Sequence, residues 1–317
     1  MRWYRDFVDA TNVFYDHLAA VRWWPLVIAL GLLFFRLVLR SIAWRNILQA
    51  SYPTTRVRWL PIFGAYVAGI GVNAIIPARV GDAVKVALSK QRIDGSSYAT
   101  VAATLIVETL FDFFVAFGLF AWALTLGVLP GLNVLQNLPS VDWSWPLSHP
   151  KASAEIGAVI VVSLIVAVIW VGHRVVAFWE RVRQGFAILR TPWRYLRDVV
   201  SWQALSWVLR LASFYYFLRA FRITASIHNA LLTQVVQSLS TLFPITPGGA
   251  GTEQGLLVYV FRGREAATPL LSYSVGMKIA VTAFMVVLGF AALGLMVRHF
   301  SPSRAIRQAD DGELGPD

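Results

Sequence analysis

Two ionisable side chains stand inside long apolar stretches: Glu108 within Ser97–Val128 and Lys278 within Thr268–Val297. A charge at bilayer depth costs at least ~2.5 kcal/mol on insertion scales for Lys or Asp, with Glu expected to be similar, so each must face protein or water and hold a partner. Asp112 follows Glu108 at i+4, so both carboxylates share one helix face. Such groups can couple transport to protons, contact a head group, or pair with each other, Glu108 with Lys278. The plainer alternative is that they pair with Arg or Lys to hold helices together. Arg36 and Arg40 lie one turn apart in the first apolar run. Arg40 falls near its end, where snorkelling to the interface explains it. Arg36 lies deeper, beyond that explanation.

Two further motifs break apolar stretches. Pro77-Ala-Arg79-Val-Gly81-Asp82 returns 170 residues later as Pro247-Gly248-Gly249-Ala-Gly251-Thr-Glu253. Each break exposes a helix N-terminus, whose unpaired N–H groups and partial positive charge attract anions. Arg79 and Lys85 add charge at the first. Gly248, Gly249 and Gly251 let backbone approach a ligand at the second. A phosphate or phosphodiester is the natural guest, and a Pro/Gly turn between packed helices is the bland alternative. Asp82 and Glu253 lie in the first turns that follow, where dipole compensation competes with a functional role. Asn73, one turn before Pro77, either satisfies freed backbone groups or lines the site. Gln234, Gln237, Ser238, Ser240 and Thr241 suit a water-lined cavity or helix–helix hydrogen bonds equally. The same offset pairs Val38-Leu39-Arg40 with Val208-Leu209-Arg210, and Glu108 with Lys278. Paired interruptions in two related halves are a pointer to a transporter binding site.

The elements that must position these residues are membrane helices. The chain is 57% hydrophobic and only 14% charged, with mean hydropathy +0.60, whereas a soluble domain carries roughly 25% charged residues. Apolar runs reach the ~20 residues needed to cross a bilayer, without the alternation of a β-barrel. The net charge of +11 is concentrated in loops, as the positive-inside rule requires, which leaves no case for nucleic acid. Without cysteine there is no disulfide or thiolate chemistry. The five histidines lack metal-ligand spacing, and neither a nucleophile elbow nor a Walker loop is present. Residues 1–22 lack the apolar core of a cleavable signal peptide.

The expected spans are Trp24–Trp44, Ser97–Val128, Ala152–Val171, Val199–Leu218 and Thr268–Val297. Two broken units intervene: Trp59–Ile76 with Gly81–Lys90, and Ile227–Phe243 with Thr252–Phe261. His173–Arg197 is a basic amphipathic stretch, expected to be cytoplasmic, and Leu129–Lys151 an external loop. This balance makes each broken unit a re-entrant hairpin, one from each face, or else two full spans. Repeat 1 covers about 24–128, a linker 129–198 and repeat 2 about 199–297. Residues 298–317 are expected to form a disordered cytoplasmic tail, with the N-terminus outside.

Asn73-xxx-Pro77-x-Arg79-x-Gly81-Asp82, then Glu108-xxx-Asp112, then Pro244-xx-Pro247-Gly248-Gly249-x-Gly251-x-Glu253 resembles the lysylphosphatidylglycerol synthase transmembrane (flippase-like) family. The resemblance implies the lipid-flipping part of aminoacyl-phosphatidylglycerol proteins, which also occurs alone, in some cases linked to glycolipid or cell-envelope assembly. The chain departs from the family at Thr109, where Arg is usual, and at Ala43-Trp44-Arg45. An extra N-terminal span and a following aminoacyltransferase domain are not read here, so a lysyl-lipid substrate does not carry over.

The expectation is an all-α polytopic protein of the bacterial inner membrane, an inverted-topology repeat with two Pro/Gly-broken re-entrant hairpins. It moves an anionic or phosphate-bearing lipid head group, either a phospholipid or a polyprenyl-phosphate lipid, and is neither an enzyme nor in need of a cofactor. The substrate-binding set is Asn73, Pro77, Arg79, Gly81, Asp82, Lys85, Glu108, Asp112, Arg210, Pro247, Gly248, Gly249, Gly251, Glu253 and Lys278. One alternative is a non-transporting partner of an envelope-biosynthesis enzyme. The other is an embedded polyprenyl-phosphate transferase using Glu108 and Asp112.

Overall fold

The structure, a computed structural model, describes residues 21–76, 79–125, 176–242, 252–262 and 265–298. The described residues are helical, with no strand among them. The breaks at Pro77 and Pro247–Gly251, the external loop, the expected span Ala152–Val171 and the tail from residue 299 lie outside them.

Helix α1 spans Trp23–Ser51, α2 Trp59–Ile75, α3 Val80–Lys90, α4 Tyr98–Thr125, α5 Val176–Gly185, α6 Ser201–Ala220, α7 Ile227–Leu242, α8 Thr252–Val260 and α9 Ala267–Arg298. Three carry apolar stretches long enough to cross a bilayer: α1, Tyr98–Leu119 of α4, and Ala267–Met296 of α9. α1 runs past the expected Trp44 because its last turns are still packed. Ile47, Leu48 and Ser51 are buried, and Gln184 Nε2 caps the carbonyl of Ser51 at 2.7 Å. The basic stretch after residue 176 is amphipathic in the structure too. Ile188 and Val199 are buried while Arg181, Arg183, Arg190, Arg194 and Arg197 face outward.

Helices α1 and α6 pack antiparallel. α1 lies along α6, joined at one end by Arg22 N–H to Ala220 O (2.9 Å) and at the other by Asn46 Nδ2 to Asp198 O (2.7 Å). α2 and α3 fold back on each other so closely that a Cβ on Gly81 would fall 2.7 Å from the Asn73 side chain. α2 also crosses α9 backbone to backbone: a Cβ on Gly71 would lie 2.5 Å from the Cα of Gly289. The outer ends of α2 and α3 meet the end of the bundle that holds Ser51 and the basic stretch, through Trp59 Nε1 to Ser41 Oγ (2.9 Å) and Arg92 Nη2 to Met296 O (3.3 Å). α7 and α8 also pair, but their outer ends lie at the opposite end, beside Ala220, where Glu265 accepts the Thr224 N–H.

Candidate functional site

The polar residues gather into two adjoining clusters. The first is built on Arg40, which is buried rather than snorkelling, at 6% exposure. Its Nε donates to Glu108 Oε1 (3.0 Å) and to the Tyr66 hydroxyl (2.8 Å), and its Nη1 to Asp112 Oδ1 (2.9 Å). Tyr66 donates in turn to Glu108 Oε1 (2.9 Å), Trp207 Nε1 to Asp112 Oδ1 (2.8 Å), and Gln203 Nε2 to the Glu108 carbonyl (2.7 Å). Glu108 therefore pairs with Arg40, not Lys278. The i+4 spacing of Glu108 and Asp112 lets one planar guanidinium serve both, which an ammonium could not do with fixed geometry.

From Tyr66 the network continues to α3. Lys85 Nζ sits 4.4 Å from the Tyr66 ring centre and 3.3 Å from Asp82 Oδ1. Asn73 ties the hairpin together: its Oδ1 accepts the Gly81 N–H (2.7 Å) and its Nδ2 donates to Asp82 Oδ1 (3.3 Å). One orphan N–H of the first α3 turn is thus already satisfied, and Asp82 compensates the dipole there. Arg79 stands exposed before this turn, in the left-handed region at φ 59. It joins neither cluster.

The second cluster surrounds a cavity of about 270 Å³ between α1, α6, α7, α8 and α9. Arg36, Arg210, Gln237, Glu253 and Lys278 line it, with Leu33, Phe214 and Met285 among the apolar walls. Lys278 Nζ is 3.7 Å from Glu253 Oε2. Gln237 links that pair to Arg210, donating to Glu253 Oε1 (3.3 Å) and accepting from Arg210 Nη2 (3.3 Å). The Arg210 guanidinium also lies 5.2 Å from the Trp207 ring centre and 5.6 Å from that of Phe214. Arg36 Nε is buried with no hydrogen-bond partner. Neither Arg36 nor Arg210 forms an ion pair with a described carboxylate. Three cations against one carboxylate leave the cavity with two positive charges in excess, an environment that favours an anion. Among the described residues, no group of three His, Cys, Asp or Glu is placed to hold a metal.

Of the expected site residues, Asn73, Gly81, Asp82, Lys85, Glu108 and Asp112 belong to the first cluster, and Arg210, Glu253 and Lys278 to the second. Pro77, Pro247, Gly248, Gly249 and Gly251 lie outside the described residues. Tyr66, Trp207 and Gln203 were not picked out from the sequence. Trp207 stands one turn before Arg210 on the same helix, a spacing that hints at it. Nothing in the local pattern distinguishes Tyr66 from any other apolar-helix tyrosine.

Comparison with curated proteins and with solved structures gives no match. The family description "Lysylphosphatidylglycerol synthase TM region" matches residues 8–297. That span takes in every helix of both clusters, and the chain belongs to this family of membrane proteins.

Proposed function

We propose that this protein is a translocator that carries an anionic, phosphate-bearing lipid head group across the bacterial inner membrane, with the head group held in the cavity by Arg36, Arg210 and Lys278. The observation that carries the reading is the pair of cations, Arg36 and Arg210, which line the cavity inside a bundle of membrane helices without a direct ion pair to any described carboxylate, Asp112 acting on them only from a distance. Burying a charge unpaired is costly, so retaining two beside a cavity implies a guest that neutralises them. The family supports a lipid guest, because its description names a phospholipid synthase. In this reading the protein is a carrier, not a catalyst, and uses no cofactor. Arg40 already occupies Glu108 and Asp112, which favours this reading over a transferase that needs them as base or metal ligands. Arg79, exposed before α3, would flank the route rather than form its charged centre.

The test is reconstitution into liposomes with fluorescent tracer lipids, anionic and zwitterionic, followed by dithionite bleaching. The wild type should speed transbilayer movement of the anionic tracer above that of the zwitterionic one. No movement of any tracer would sink the proposal and leave the non-transporting partner as the better reading.

The broken helix pairs fit this function as re-entrant hairpins of an inverted repeat. α3 and α8, at 11 and 9 residues, reach only about 17 and 14 Å at 1.5 Å per residue, short of a hydrocarbon core of about 30 Å. Their pairs open at opposite ends of the bundle, as inversion requires. The basic end, with Arg181, Arg183, Arg190, Arg194 and Arg197, is then cytoplasmic. A single cysteine at Arg194 should react with a membrane-impermeant maleimide only in inside-out vesicles, and one at Ile227 only in right-side-out vesicles. The reverse pattern would invert the topology.

A further inference from the structure

At the end of the bundle away from the basic stretch, a separate surface pocket of about 480 Å³ is lined by three arginines, Arg22, Arg219 and Arg222, together with Tyr215 and Thr224. We infer that this pocket binds the phosphate of a lipid head group lying in the adjacent leaflet, as a second anion site independent of the cavity.

The arginines are not there by default. Arg22 is the N-cap of α1, where the helix dipole is positive, and its side chain caps nothing. A cation is unfavourable at that position unless an anion joins it. Arg222 ends α6 in a Schellman turn: Ile223 N–H bonds to Leu218 O (2.9 Å), and Arg222 N–H to Arg219 O (3.3 Å). The residue between must be left-handed, and Arg222 has φ 59. Glycine fits there without cost. An arginine held in that conformation by the fold points to a use for its side chain. Arg219, by contrast, is explained in part by the favourable dipole at the α6 C-terminus. No lining residue is acidic, and none of the three arginines pairs with a described carboxylate. Glu265, beside the pocket, accepts the Thr224 N–H at 3.0 Å.

The setting selects a lipid over a free anion. Trp23 and Trp24, 74% and 75% exposed, follow Arg22 directly, and Ile227 stands 75% exposed at the head of α7. Exposed tryptophans at a span end belong at the level of the head groups. The arginines therefore lie where lipid phosphates are concentrated, and guanidinium groups match phosphate oxygens in bidentate geometry.

The chain has no cysteine, so a single Ile227→Cys substitution gives one labelling site beside the pocket. The full-length protein in detergent, carrying an environment-sensitive fluorophore there, is titrated with dihexanoyl-phosphatidic acid, dihexanoyl-glycerol and inorganic phosphate. The expected result is a saturable response to phosphatidic acid alone at low concentration. The variant Arg22→Gln/Arg219→Gln/Arg222→Asn should weaken it about tenfold or more, whereas Arg36→Gln/Arg210→Gln should leave it unchanged. Should the triple variant not fold, Arg219→Gln alone, at an exposed position, should still weaken binding severalfold. An equal response to dihexanoyl-glycerol, inorganic phosphate binding as tightly as the lipid, or unchanged affinity in the arginine variants would each overturn the assignment. The Arg36/Arg210 arm keeps failure here separate from failure of the central cavity.

Discussion

Replacing Arg40 with Leu should destabilise the protein more than any other single change described above. Among the described residues, Arg40 is the one hydrogen-bonding partner that Glu108 Oε1 and Asp112 share, and Glu108 is 2% exposed. Removing it strands two carboxylates in the bundle, and breaking a buried ion pair from one side costs about 3–5 kcal/mol. Tyr66 and Trp207 would remain to donate to the carboxylates, which is why loss of the fold is not assured but a large drop is. In thermal unfolding of the purified protein, Arg40→Leu should lower the transition by many degrees. Adding Glu108→Gln and Asp112→Asn, which removes the stranded charge, should recover much of the loss. A transition within a degree or two of wild type for Arg40→Leu alone would show that the carboxylates have water or another cation, contrary to the geometry here.

The double change Arg36→Gln/Arg210→Gln should do the opposite: little to stability and a great deal to transport. Neither guanidinium forms a direct ion pair, Arg40 still holds Asp112 when both are gone, and removing a buried charge that lacks a direct partner can stabilise. Gln237 keeps Glu253 as a partner, and the Glu253–Lys278 pair is untouched. The cavity changes from two positive charges in excess to none, and an anionic head group loses both charge-assisted contacts. Contacts of that kind are worth about 1.5–3 kcal/mol each, so the rate for an anionic tracer in the liposome assay should fall about a hundredfold or more. Undiminished transport in a folded variant would place the head group elsewhere, with Arg79 and the glycine-rich turn as the next region to alter.

Much of this arrangement is legible from residue type and period. Apolar runs interrupted by Pro and Gly predict the helix pairs to within a few residues, because bilayer length and backbone breaking are local properties. Charges in apolar helices mark Glu108, Asp112, Arg210, Glu253 and Lys278 as needing partners, for the same reason. Which partner each takes is not local. Arg40 looks like an end-of-span residue by position, yet α1 continues to Ser51 because Gln184, far along the chain, caps it. Arg40 therefore lies inside the helix, where the packing of α1 on α4 sets it against Glu108. Glu108 and Lys278 correspond by spacing, but Glu108 pairs with Arg40 and Lys278 with Glu253, so the apparent pair is two separate ion pairs. By sequence Asn73 fits capping and ligand contact equally. Only the fold-back of α3 onto α2 shows its amide on Gly81 and Asp82.

The Arg40 cluster also has a history in time. Glu108 and Asp112 lie 68 and 72 residues after Arg40. A chain made at about 5–20 residues per second therefore presents α1 to the membrane about 3–14 s before its counter-ions exist. For much of that interval Tyr66 is the only one of its partners already made, and a charge without a counter-ion in an apolar helix costs about 2.5–3.5 kcal/mol. Until α4 emerges, α1 carries this charge without the carboxylates that neutralise it in the finished bundle. The contact that joins α1 to α4 is thus a delayed event in synthesis, complete only once residue 112 has been made.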